Sequence, residues 1–186
     1  MKYISIGAVM TEGTEHCVTV CRGSNRFPLS GELAAVWLSG RLGFTETQEQ
    51  SELQALEQLV RMGLAVKSQG YAIADYRALT QCTIVPADRK HPFLTLSSIE
   101  RAVLQWIREA GLVLSMAELV YLMDRNVPLN PEYLGSDNTQ RLVERIYTKD
   151  TIFDNILENQ MERTSMRDKT VNAVLSLLRK KRIVLL

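Results

Sequence analysis

The feature that most constrains this chain is a partial repetition of itself. Leu29, Ser30, Ala35 and Val36 recur as Leu96, Ser97, Ala102 and Val103 at a constant offset of 67 residues. Ala55, Leu59, Arg61 and Val66 recur as Ala173, Leu177, Arg179 and Val184 at an offset of 118. Each block carries the apolar spacing of one helix face, so the matches imply two related folding units, with a first helix and a final helix leading into a strand in each. The two offsets differ by 51, so the second half holds an insertion that the first lacks. A chain of 186 residues has room for two such units, each with its own core.

Local signals fill in the first half. Tyr3 to Met10 and His16 to Arg22 are rich in β-formers and flank Thr11-Glu12-Gly13-Thr14-Glu15, which predicts a hairpin. Ser24 to Pro28 reads as a turn, and Ser30 as the N-cap of a helix over Gly31 to Leu42 with Leu33, Val36, Trp37 and Leu38 inward. A second helix is expected from Thr45 or Thr47 to Met62, burying Leu53, Leu56, Leu59 and Val60 and capped by Gly63. Leu64-Ala65-Val66 and Tyr71-Ala72-Ile73 flank Lys67-Ser68-Gln69-Gly70, which predicts a second hairpin, a wing.

Thr83 to Pro92 is polar and proline-bounded, which predicts a connection between the halves. Beyond it, helices are expected from Ser97 or Ser98 to Ala110, with Ile99, Val103, Trp106 and Ile107 inward, and from Ser115 to Met123. Asn126 to Gly135 reads as a loop; Asp137 to Tyr147, Thr151 to Met161 and Ser165 to Lys181 read as helices, and Ile183 to Leu186 as a strand. Within the insertion, Leu142, Val143, Ile146, Tyr147, Ile152, Phe153, Ile156, Leu157 and Met161 supply enough apolar surface to fill the second core or to form a dimer contact, and the core is the preferred assignment.

The pattern Leu53-x2-Leu56-x2-Leu59-Val60-x2-Gly63-Leu64, with its wing, resembles the winged helix-turn-helix superfamily, as does Val171-x2-Val174-x2-Leu177-Leu178 with its terminal strand. Phe27-x-Leu29-Ser30-Gly31-Glu32-x2-Ala35, with strands before it, makes residues 3–66 similar also to PqqD-like peptide-recognition domains. The resemblance implies a helix-rich α+β fold of tandem winged-helix units with small β-hairpins. The expected domains are 1–82, a linker at 83–92, and 93–186 with a helical insertion at about 125–162.

Charge separates the two units. Net charge is +1; residues 1–86 hold 7 basic and 8 acidic side chains, residues 87–186 hold 15 and 13, so a binding field has to come from local clustering. The helix ending at Met62 presents Glu46, Glu49, Glu52 and Glu57 against Arg61, which suits a phosphate backbone poorly. Around the last helix, Arg163, Arg167, Lys169, Arg179, Lys180, Lys181 and Arg182 cluster, with Asn172 able to reach a base edge. These eight residues are the candidate DNA contacts. Basic residues in a last helical turn also complement the helix dipole, which would account for Arg179 to Arg182 without a ligand.

Other chemistries lack sequence support. There is no glycine-rich phosphate loop, nucleophile elbow or metal-binding His/Glu pair, so no enzyme and no cofactor is expected. Cys17, Cys21 and Cys82 match no zinc spacing even with His16 and His91 added, and Cys17 and Cys21 are read as half-buried neighbours on one strand face. With no signal-like N-terminus and no apolar stretch near the ~20 residues of a membrane span, the chain is expected to be cytoplasmic and to avoid membranes. The leading expectation is a non-enzymatic DNA-binding transcriptional regulator with double-stranded DNA as partner and a protein partner or homodimer besides. The alternative is a protein- or peptide-binding adaptor with no DNA contact.

Overall fold

Lys2–Ser5 forms strand β1, and Gly7 then redirects the chain before Ala8–Glu12 continues as β2. At φ +115° Gly7 occupies backbone space that favours glycine, and an added Cβ would collide with the Val20 side chain. This is a computed structural model describing residues 1–12, 17–87, 96–148 and 154–186. The predicted Thr11–Glu15 turn, His16, His91, Ile152 and Phe153 fall wholly or partly outside those residues. Two compact units emerge: residues 1–81 together with 184–186, and residues 82–183.

In the first unit, β2 pairs antiparallel with β3 (Cys17–Arg22), which pairs with β4 (Asn25–Ser30). The turn predicted over Ser24 to Pro28 is therefore a strand for most of its length. Val18 faces Leu29 and Val20 faces Phe27 across the ladder, and the burial of Leu29 outweighs the turn preference of Asn25 and Pro28. Helix α1 (Gly31–Gly40) follows; Ser30 holds the N-cap position, but its hydroxyl makes no capping bond. A two-residue strand β5 (Thr45–Glu46), helix α2 (Gln50–Arg61) and strand β6 (Ala65–Ser68) come next. The second sheet has the order β5-β1-β6, with Ile4 opposite Val66. Tyr3, Val36, Trp37, Leu56, Leu59 and Leu64 form its core; Tyr3 Oη donates to the Val36 carbonyl at 2.8 Å and Trp37 Nε1 to that of Ile6 at 3.0 Å.

The wing expected at residues 64–73 is absent. Strand β6 pairs with β1 instead, and Ala72–Thr80 is helix α3. Three alanines favour the helix, and Asp75 anchors it by accepting bonds from Ser68 Oγ at 2.6 Å and Lys2 Nζ at 2.7 Å.

The second unit opens with strand β7 (Thr83–Pro86), where the sequence predicted the start of a linker. Ile84 is buried and lies opposite Leu114 in the ladder, which makes a strand of that segment. Helix α4 (Ser98–Glu109), strand β8 (Leu114–Ser115) and helix α5 (Met116–Asp124) follow, each helix opened by a serine–glutamate capping box. The insertion contains helices α6 (Thr139–Ile146) and α7 (Asp154–Met161), and Leu142, Ile146, Leu157 and Met161 fill core positions while Val143 is exposed. Helix α8 (Met166–Arg179) leads into strand β9 (Ile183–Leu185). The third sheet has the order β8-β7-β9.

The fold is α+β, with eight α-helices and three small sheets among the described residues. No helix among them is long and apolar enough to cross a membrane. With β2, β3, β4 and α3 left aside, β1-α1-β5-α2-β6 and β7-α4-β8-α5-α6-α7-α8-β9 follow one order along the chain: a strand, a helix, a two-residue strand, further helix, and a last strand, with the first strand central in its sheet. Its landmarks keep the sequence offsets, because α1 and α4 begin at Gly31 and Ser98, and α2 and α8 end at Arg61 and Arg179.

Candidate nucleic-acid interface

Helix α8 buries Thr170, Val171, Ala173, Val174, Leu177 and Leu178. That choice of face leaves Lys169, Asn172 and Arg179 exposed, and their spacing of three and then seven residues puts them on one stripe. Asp168, the exposed carboxylate of the same helix, is neutralised by its neighbour. Arg167 binds it through Nε at 2.8 Å and Nη2 at 3.0 Å. This hydrogen bond, reinforced by the guanidinium charge, holds the Asp168 carboxyl below its ordinary range against the opposing effect of burial.

The eight sequence-predicted residues divide by environment. Arg163, Lys169, Asn172, Arg179 and Lys181 are exposed. Arg167 is engaged with Asp168 and also donates to the Glu162 carbonyl. Lys180 Nζ donates to Glu100 Oε1 at 2.7 Å, and Arg182 is only 7% exposed. The stripe on α8 thus joins Lys169, Asn172 and Arg179, whereas Arg163 lies beyond the N-terminus of the helix and Lys181 beyond its C-terminus.

The corresponding helix of the first unit has a different surface. On α2, Gln50, Gln54, Glu57 and Gln58 are exposed, Glu49 precedes it exposed, and Arg61 ends it. Glu57 pairs with Lys67, whose hydrogen bond keeps that carboxyl below its usual range. This face therefore sets the carboxylates of Glu49 and Glu57 against the cation of Arg61.

Two residues that sequence reasoning missed belong to the neighbourhood of α8. Glu100 is buried and ties the start of α4 to the end of α8. Arg125, at the C-terminal end of α5, lines a cleft together with Arg163. The sequence signal for Glu100 was its place three residues after Ser97; Arg125 had none, because 38 residues separate it from its companion.

Cys17 is exposed, which differs from the half-buried environment expected for it; Cys21 is half-buried and Cys82 buried. Cys17 begins β3 beside the exposed Ser30, so it lies past the covered part of the sheet. Among the described residues no group of three or more His, Cys, Asp or Glu could hold a metal ion. Comparison of the chain with protein-family models, curated proteins and solved structures finds no match in any of the three.

Proposed function

We propose that the chain is a DNA-binding protein, a transcriptional regulator, whose second unit is a winged-helix variant that sets α8 against the duplex. The observation that carries this reading is the exposed Lys169–Asn172–Arg179 stripe, with the one nearby exposed carboxylate of the helix already taken by Arg167. Lys169 and Arg179 suit phosphate contact, and the Asn172 amide is a donor–acceptor pair suited to an adenine edge. The sheet order β8-β7-β9 supports this reading, because β7 lies in the centre, the place that the last wing strand takes in a winged helix.

The test is anisotropy of a fluorescein-labelled mixed-sequence duplex titrated with protein at about 50 mM salt and again at about 200 mM. Binding should weaken steeply with salt. The double variant Lys169→Ala/Arg179→Ala should bind about tenfold more weakly and lower the salt slope by about two, the loss expected for two phosphate contacts. No anisotropy change with the unaltered protein at low salt ends the proposal.

A second reading, a peptide-binding adaptor, is favoured by the β2-β3-β4 sheet of the first unit. Strands β2 and β4 each pair only with β3 among the described residues, and an extended peptide can add to such an edge through main-chain hydrogen bonds. That reading expects the duplex titration to stay flat.

A further inference from the structure

The helical insertion encloses more than core. Residues of α5, α7 and the segments beside them line a cleft of about 690 Å³, within the range usual for small-molecule sites. Its apolar part is Tyr121, Ile156 and Met161, and its polar part includes Asn159, Arg125 and Arg163. Among the described residues that line it there is no carboxylate.

Both guanidinium groups are placed to receive an anion. Arg163 is exposed, and among the described residues its side chain has no carboxylate partner. Arg125 is 60% exposed; among the described residues its nearest carboxylate, Asp124, is 4.0 Å away, at the limit of an ion pair. The Arg125 guanidinium stands 5.9 Å from the centre of the Tyr121 ring, and that ring is fixed by a 2.9 Å bond from its hydroxyl to the Arg145 carbonyl. A rigid aromatic wall beside two cations, with amide groups nearby, selects for a flat apolar body that carries a negative head.

We propose that this cleft binds a small aryl anion, an aromatic body bearing a phosphate or carboxylate, with Arg125 and Arg163 holding the charge and Tyr121 the ring. The site is independent of the α8 stripe, so it stands whether or not the chain binds DNA.

The experiment is titration of the full chain, followed by ¹H–¹⁵N correlation spectra, with phenyl phosphate, benzoate, inorganic phosphate and benzyl alcohol. Phenyl phosphate or benzoate should saturate the shifts of the Asn159 and Gln160 amides, and whichever binds more tightly identifies the head group. Inorganic phosphate and benzyl alcohol should bind at least about tenfold more weakly, each lacking half of the recognition. Arg125→Ala and Arg163→Ala should each weaken binding about tenfold, the loss of one charge-assisted contact, while Arg101→Ala on α4 leaves it unchanged. Thermal unfolding of each variant verifies folding, since both arginines are solvent-exposed. The proposal is overturned if neither aryl anion saturates the shifts, if inorganic phosphate binds as well as phenyl phosphate, or if Arg101→Ala weakens binding as much as the cleft variants.

Discussion

Lys181 sits in the left-handed region at φ +55°, and the residue at the equivalent place in the first unit, 118 positions earlier, is Gly63 at φ +70°. The hydrogen bonds match as well. Gly63 N donates to the Val60 carbonyl and Leu64 N to that of Leu59; Lys181 N donates to Leu178 and Arg182 N to Leu177. Both α2 and α8 therefore end in the same terminal motif, which is relieved of steric cost only where glycine fills it. Lys181→Gly should stabilise the protein by about 0.5–1 kcal/mol, the left-handed penalty less the extra freedom glycine gains when unfolded. Urea unfolding followed by circular dichroism measures it, and a lowered midpoint would refute the argument. From the sequence, Lys181 was legible only as a charge. The repeat could have exposed the backbone demand, because Gly63 maps onto it at the same offset as Ala55 onto Ala173.

At the level of elements, helices are legible in the sequence and strand partners are not. Amphipathic spacing is a local property, so α2, α4, α5 and α8 lie close to where the apolar periodicity predicted them. Pairing is not local. Local spacing places Val66 in a wing with Tyr71–Ile73, yet it pairs with Ile4, which only the assembled core could select. The junction of α4 and α8 was equally hidden, since Glu100 and Lys180 are 80 residues apart. Burial pushes the Glu100 carboxyl up, but hydrogen bonds from Lys180, Ser176 and Ser97 outweigh it and hold the group at about 2. A depressed carboxyl contributes stability that is present above its unfolded value near 4.5 and is lost as pH falls towards 2. Glu100→Gln should cost about 2 kcal/mol at pH 6 and progressively less between about pH 4.5 and 2. Unfolding curves of both proteins across that range provide the check; a gap that persists undiminished at pH 2 would refute the linkage.

At the scale of the whole molecule, the repeated plan was legible because Leu59 and Leu177, Ala55 and Ala173, and Val36 and Val103 are buried equivalents. The candidate interface was legible only as a list of charges. Which of them remain exposed depends on partners such as Asp168 and Glu100 that no periodicity reveals. The third sheet gives a prediction of its own. Ile183 and Leu185 are 2% and 1% exposed, so a chain ending at Arg182 loses two fully buried side chains. Its stability should fall by about 3 kcal/mol or more, and a urea midpoint equal to that of the longer chain would contradict the sheet assignment.

The central place of β7 also has a consequence in time. A ribosome makes β7 about 100 residues before β9, whereas β1 waits only about 60 residues for β6. At about 5–20 residues per second, the flank of β7 that awaits β9 stays bare for roughly 5–20 s of synthesis. During that interval its unpaired backbone offers a template to any other extended chain nearby. The 51-residue insertion lengthens this exposure, so the second unit carries the greater risk of misassembly as it is made, and the chain that stops at Arg182 holds that stage still for measurement.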